Sequence, residues 1–240
     1  MLILLDIGNT RSKYVIVENT QRSVIYYCDN GDLNEEWLTV NFSKASELIL
    51  ANVNNDKFTV LIESWASNSS IKFQHLQTQN QQFELICAYS EPSQLGIDRW
   101  LAMLGTSFLF PYKACIVIDA GTATTIDVIS PKGKHLGGWI FPGINMLYQS
   151  LVGQTQKIIA DKSSTPSMAL GKNTSECVNN GTWAITVGAI ELQLKNMKQQ
   201  YTDVEVILTG GNCTKISSML NDTHHIIDDL IFIGMQRFCL

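Results

Sequence analysis

Short apolar runs, each closed by an aspartate, open both halves of this chain. Residues 2–5 form one run, closed by Asp6, and residues 115–118 form another, closed by Asp119. Such runs, bounded by polar residues, read as buried strands. In the first half the pattern predicts further strands over 13–18 and 24–28, a turn around Asn30-Gly31, and a weakly patterned helix over 35–50. Runs 58–62 and 83–87 read as two more strands, with 67–70 and the Gln-rich 74–82 as surface helix or loop. Ile97, Trp100, Leu101, Leu104 and Phe108 then keep the i, i+3, i+4, i+7, i+11 spacing of one helical face, and Pro111 ends that helix.

The second half restarts the order of the first. Strands are predicted over 114–118, 124–129 and 135–141, the last two joined by a turn at Pro131-Lys132-Gly133-Lys134. Ile144, Leu147, Tyr148, Leu151 and Val152 mark one helix, and Trp183, Val187, Ile190, Leu194 and Met197 a longer one. A strand over 204–208 runs into Thr209-Gly210-Gly211-Asn212, and residues 224–227 and a short helix from Leu230 close the chain. Hairpin strands followed by alternating helix and strand, twice over, predict an α/β protein duplicated at domain scale. The break falls at 111–113, giving domains 1–112 and 113–240.

Composition narrows the class. With 240 residues and 45% hydrophobic content, the chain can build real cores. A net charge of −5 and 17 scattered Lys and Arg argue against a nucleic-acid surface, which needs a basic patch. A small anion remains possible, because backbone N–H groups bind one without net positive charge. Cys28, Cys87, Cys115, Cys177, Cys213 and Cys239 show neither C-x-x-C nor zinc spacing, which fits a reducing compartment. No signal peptide and no apolar stretch of the ~20 residues that cross a bilayer are evident, so no membrane partner and a cytoplasmic location are expected.

The candidate chemistry lies at the repeated turn. Asp6-Ile7-Gly8-Asn9-Thr10 and Asp119-Ala120-Gly121-Thr122 each place a carboxylate, a glycine and small polar residues where a strand ends. One such turn is ordinary loop chemistry; its recurrence at the same point of a repeated unit points to phosphate binding. Neither G-x-x-x-x-G-K-S/T nor a strand followed by G-x-G-x-x-G is present. Lys13 reads either as a phosphate contact or as an exposed strand residue. In Gly96-Ile97-Asp98-Arg99-Trp100 the apolar pair takes the buried helical face, so Asp98 and Arg99 are expected to project towards solvent or a cleft. Dipole complementarity accounts for Asp98 but not for an arginine beside it; a carboxylate that orients a hydroxyl and a guanidinium that holds an anion account for both. Thr182 reads as an N-cap, Gly210-Gly211 as a turn against which a planar ring can lie. His75, His135, His224 and His225 lack ligand spacing and read as surface or packing residues.

Together, Asp6-Ile7-Gly8-Asn9-Thr10, Gly96-Ile97-Asp98-Arg99, Asp119-Ala120-Gly121-Thr122-Ala123-Thr124 and Pro142-Gly143 resemble, in order and spacing, a type III pantothenate kinase. The resemblance implies duplicated actin-like (ribonuclease H-like) domains, as in the acetate and sugar kinase and heat-shock ATPase superfamily, with an interdomain nucleotide cleft. It implies ATP-dependent phosphorylation of the pantothenate primary hydroxyl to 4'-phosphopantothenate, the first step of coenzyme A biosynthesis. By matching position, Asp6, Ile7, Gly8, Asn9, Thr10, Arg11, Ser12 and Lys13 form the first phosphate loop, and Thr122 binds ATP from the second. Asp98 is the implied proton acceptor. Gly96, Ile97, Asp98 and Arg99 line the pantothenate site, joined by Tyr89 and Thr182, which then acts both as cap and as substrate contact. Asp119 coordinates a monovalent cation, K+ or NH4+, and Mg2+ enters with the nucleotide. Members are homodimers whose substrate site is completed across the interface, and Gly210-Gly211 falls on the adenosine side. The cation has a physical reason: the second loop has no lysine against the phosphate charge. Two other readings stand beside this one. One is a different small-molecule kinase of the same fold, selective through the pocket around Tyr89 and Arg99. The other is a non-catalytic regulatory protein that keeps an ATP cleft, against which the presence of both Asp98 and Asp119 argues.

Overall fold

The computed structural model describes residues 1–153, 157–163 and 165–239 of a mixed α/β protein. The chain separates into two compact units, one of Met1–Phe83, Tyr89–Gly105 and Asp229–Leu240, the other of Glu84–Ala88 and Thr106–Asp228. Compared with a division at 112/113, the two units assign 84–88, 106–112 and 229–240 differently.

In the first unit, β1 (Leu2–Ile7), β2 (Arg11–Glu18), β3 (Gln21–Arg22), β4 (Tyr26–Asp29), α1 (Glu35–Phe42), β5 (Glu47–Asn52), α2 (Asp56–Asn68), β6 (Lys72–His75) and the short β7 (Gln81–Gln82) follow one another. The sheet order is β3-β2-β1-β5-β6, with β4 also on β2. β1 pairs antiparallel with β2 and parallel with β5, and β5 pairs parallel with β6. Both central strands are buried on both faces, from Ile3 to Ile7 and from Leu48 to Ala51, which is why they read as continuous apolar runs. Leu38, Phe42, Phe58, Ile62 and Trp65 of the two helices close one face of the core over Ile3, Leu5, Leu48 and Leu50.

The second unit begins with β8 (Leu85–Ile86), and α3 (Ile97–Leu109) gives its last residues to it. There follow β9 (Ala114–Ala120), β10 (Ala123–Ile129), β11 (His135–Pro142), α4 (Ile144–Val152), α5 (Thr174–Gln200), β12 (Val204–Thr209), α6 (Cys213–Ser217) and β13 (His225–Ile226). The order β11-β10-β9-β12-β13 repeats the connectivity of the first sheet. β9 pairs antiparallel with β10 and parallel with β12. Its core gathers Ile116, Ile118, Ile126, Val128, Trp183, Ile190, Leu194 and Leu208. The chain returns to the first unit through α7 (Leu230–Gln236), whose Gly234 lets it touch α3 closely: a Cβ there would overlap the Leu101 carbonyl oxygen.

Three expectations are corrected. The helix over 35–50 ends at Phe42, and Glu47–Asn52 is strand β5. Leu48, Ile49 and Leu50 are wholly buried between two parallel neighbours, a placement that a helix, with neighbouring side chains about 100° apart, cannot give. The strand over 58–62 lies inside α2 instead. Phe58, Ile62, Trp65 and Ala66 are its buried residues, at i, i+4, i+7 and i+8, and the Asn55 side chain caps it by accepting from Lys57 N at 2.9 Å. Thr182 is no N-cap. α5 begins at Thr174, where Asn173 accepts from Glu176 N at 2.9 Å and the Glu176 carboxylate accepts in return from Asn173 Nδ2 at 2.8 Å. Gly181, the residue before Thr182, also lies in the helix interior. The run 83–87 forms strand only at Leu85–Ile86, and all six cysteines are free thiols.

Candidate active site

The turn between β1 and β2 is built by strand register. Asp6 is the cross-strand partner of Lys13, and Ile7 that of Ser12, so the carboxylate and the ammonium leave the sheet side by side. Asp6 is buried, Lys13 half-buried, and Asn9 and Thr10 exposed. Gly8 N donates to Arg11 O at 3.2 Å, closing the turn. Ile7 is wholly in the core, the Arg11 guanidinium stacks 4.4 Å above the Tyr27 ring, and the Ser12 hydroxyl donates to Asn30 Oδ1 at 2.8 Å. The exposed residues of the turn are Asn9, Thr10 and Arg11, with Gly8 and Lys13 half-buried beside them. Asn30 Nδ2 donates to Gly8 O at 2.9 Å, and Asn54 Nδ2 donates to Gly8 O and Asn9 O at 3.0 and 3.1 Å.

A second cluster forms at the start of α3. Asp98 is half-buried, and its Oδ1 accepts from the Arg99 N–H at 2.8 Å. A Cβ on Gly96 would stand 2.6 Å from that same oxygen, so the glycine makes room for the carboxylate. Arg99 is not on the solvent side. It is only 5% exposed, and its Nη1 donates to the Tyr89 hydroxyl at 3.2 Å. Ile97 is buried, as its helical position requires. The structure thus joins Tyr89 to Arg99 and Gly96 to Asp98.

In the second unit Asp119 is the next-to-last residue of β9, in register with Thr209 of β12 and Thr125 of β10. Gly210 has φ +86°, and a Cβ on it would overlap Asp119 Oδ1, so this residue must be glycine on two counts. The Gly-Gly turn therefore makes room for a carboxylate at its first residue, while Gly211 faces open space. Thr122 is exposed; its carbonyl accepts from Gly143 N at 3.0 Å, and a Cβ on Gly143 would lie 2.5 Å from Gly121 O. Pro142-Gly143 thus braces the second loop. Thr182 lines a cavity of about 150 Å³ with Tyr148, Asn179, Trp183, Lys162 and Lys215, and its hydroxyl donates to Val178 O at 2.8 Å.

His135 is wholly buried, 3.0 Å from Asp127, while His224 meets Ser217 and His225 meets Glu205. Among the described residues no three His, Cys, Asp or Glu side chains gather where they could hold a metal ion. Asn30 and Asn54 escape sequence reasoning, because an asparagine near a turn is ordinary and its partners here lie 22 and 46 residues away.

Residues 2–196 match the family described as type III pantothenate kinase. The chain is 39% identical to the type III pantothenate kinase of Colwellia psychrerythraea, over 99% of this chain and 100% of that one. It is 34% identical to that of Pseudoalteromonas translucida, over 97% and 93%. A solved structure of a putative Baf family transcriptional activator from Campylobacter jejuni superposes with a TM-score of 0.65 at 22% identity, covering 98% of this chain and 96% of that one. A putative 2-dehydro-3-deoxygalactonokinase from Sinorhizobium meliloti gives 0.58 at 8% identity, covering 99% and 97%. These two structures bear on the fold alone.

Proposed function

The chain belongs to the type III pantothenate kinase family, and on that premise we propose which of its residues carry the reaction. The reaction is the ATP-dependent phosphorylation of pantothenate to 4'-phosphopantothenate, the first step of coenzyme A biosynthesis. One observation carries this reading: the likeness to named relatives runs the full length of both chains.

Phosphoryl transfer through a loose transition state asks for positioning and charge neutralisation more than for a strong base. In our reading the Asn9 and Thr10 N–H groups and Lys13 receive the ATP phosphates, with Asp6 beside Lys13 and Thr122 contributing from the second loop. Asp98 accepts the hydrogen bond of the pantothenate hydroxyl, points its oxygen at phosphorus and takes the proton as the new bond forms. Arg99, buried and steadied by Tyr89, holds the substrate carboxylate; a preformed guanidinium loses little freedom on doing so. Thr182 is a further substrate contact, and its cavity carries two lysines suited to an anion. We also propose the finer fold, duplicated actin-like domains with an interdomain nucleotide cleft, which the repeated sheet order supports.

The residues present suit the implied ions. Asp119 Oδ1 fills the place that a Cβ on Gly210 would take, and one carboxylate with neighbouring carbonyl oxygens suits K+ or NH4+ better than a divalent ion. No acidic cluster among the described residues could hold Mg2+ by itself, which fits entry with the nucleotide. Bound, the two ions supply positive charge against the phosphates.

A homodimer with the substrate site completed across its interface is part of the proposal. Gly181, Ile185, Gly188 and Leu192 line one face of α5; Ile185 and Leu192 are 59% and 52% exposed, and nothing lies within 4 Å of a Cβ on either glycine. An uncovered small and apolar stripe suits the same helix of a second copy. No helix among the described residues is long and apolar enough to cross a membrane, and we place the enzyme in the cytoplasm, where its nucleotide is. Offering pantothenate, acetate and sugars with ATP tests the assignment: transfer to pantothenate alone supports it, and transfer only to acetate or a sugar overturns it.

A further inference from the structure

We propose that Asn30 and Asn54 are positioning residues of the phosphate loop: they hold the Gly8 and Asn9 carbonyl oxygens inward and so fix the peptide planes of the turn, with the Asn9 N–H turned out for the nucleotide. This rests on the reading of residues 6–13 as that loop.

Both asparagines donate through Nδ2 to the same two carbonyls. Asn30 reaches Gly8 O at 2.9 Å and Asn9 O at 3.4 Å; Asn54 reaches them at 3.0 and 3.1 Å. The other end of each carboxamide is tied elsewhere. Asn54 Oδ1 accepts from Asn55 N at 2.7 Å, and Asn30 Oδ1 from the Ser12 hydroxyl at 2.8 Å. With the oxygens engaged there, the nitrogens must face the loop.

The strands deliver these side chains from opposite sides. β4 pairs with β2 as far as Asp29 opposite Arg11, so residue 30 arrives at the turn. β5 runs alongside β1 to Asn52 opposite Ile7, and Val53 N continues the ladder onto Ile7 O at 3.1 Å. Asn54 follows, its own N–H held by Asn52 Oδ1 at 2.8 Å, while Asn52 Nδ2 is anchored on Thr59 Oγ1 at 2.9 Å.

The physical consequence follows from the peptide plane. In a trans peptide C=O and N–H point in opposite directions, and no peptide in the described residues is cis. Fixing Gly8 O aims the Asn9 N–H outward, and fixing Asn9 O locks the plane of the next peptide. An exposed turn left free could rotate these planes and offer oxygen to a phosphate instead. Donors already aimed need no reorganisation when the anion arrives. A carboxamide serves here where a carboxylate would not, since it donates to a carbonyl and adds no negative charge beside phosphate.

The test compares Asn30→Ala, Asn54→Ala and the double variant by steady-state kinetics and by calorimetric binding of ATP and of adenosine. Loss of one neutral hydrogen-bond donor raises KM for ATP about fivefold per single variant. Because the two side chains share their acceptors, the double variant exceeds the product, about fiftyfold. KM for pantothenate and affinity for adenosine stay within about twofold, which a general loss of structure would not leave unmoved. If the double variant does not fold by circular dichroism, Asn30→Ser and Asn54→Ser make the same comparison with one donor kept, and an intermediate rise is expected. Wild-type KM for ATP, or an equal loss for adenosine and ATP, overturns the proposal. Lys13→Met and Thr10→Ala separate it from its premise. If they weaken ATP and the asparagine variants do not, the clamp fails and the loop stands; if none of them weakens ATP, the loop reading fails as well.

Discussion

Asp98 shows how much of a site can rest on one missing side chain. Its Oδ1 is 2.8 Å from the Arg99 N–H and sits where any Cβ on Gly96 would crowd it. Asp98→Asn keeps size and an oxygen for that bond but loses the carboxylate that we propose takes the hydroxyl proton. A positioned acid or base contributes about 10²–10⁴ in rate, so kcat is expected to fall at least about a hundredfold with KM for pantothenate little changed. Unchanged turnover would remove Asp98 from its role. At this scale the repeated Asp-x-Gly turns and the Gly-x-Asp-Arg run were legible, since they are local in sequence. That Arg99 is buried against Tyr89, and that Gly210 leaves room for Asp119, were not: the first depends on how a loop folds onto the helix it precedes, the second on strands far apart in sequence.

Elements carry the stability of the site. α7 meets α3 where Gly234 touches the Leu101 carbonyl. Gly234→Ala gains about 1 kcal/mol of helix propensity but forces a methyl into backbone, and overpacking costs about 1–3 kcal/mol. The overlap wins, so a melting temperature several degrees lower is expected; an equal or higher one would contradict this packing. β6 ends on His75, whose pKa is pushed below its ordinary value by burial, against the pull of Asp56 and Glu63. The fold therefore prefers neutral His75, and the unfolded chain binds more protons below a pH of about 6.5. Stability is full above that pH and falls as pH drops through it; in urea titrations between pH 8 and 5, His75→Gln should lose less than the wild type. An identical slope would rule this contribution out. The first strand of each hairpin was readable because it carries a continuous apolar run. Residues 47–52 and 58–62 are equally apolar, and periodicity alone does not separate a buried strand from one face of a helix in so short a run. Pairing on both sides decides the first, and the Asn55 cap with Trp65 and Ala66 beyond decides the second.

Over the whole molecule, each of the two large sheets has an antiparallel hairpin beside parallel strands and a central strand with an aspartate at its next-to-last residue. The hairpin that opens each half was legible; the parallel strands β5 and β6 were not, nor was the return of the last residues to the first unit, because a short terminal apolar helix carries no mark of its partner. The uncovered α5 stripe leads to an expectation for the assembly. Ile185→Asp should convert a dimer to a monomer in sedimentation and reduce pantothenate turnover with it, while a wild-type monomer that is fully active would contradict the shared site. The most direct test of the central claim is the rate of 4'-phosphopantothenate formation from ATP and pantothenate with Mg2+, in K+ and in Na+ as the sole monovalent ion. The expected result is sustained turnover in K+ that collapses in Na+; no phosphorylation of pantothenate in either would contradict the account, and full activity in Na+ would take Asp119 out of it.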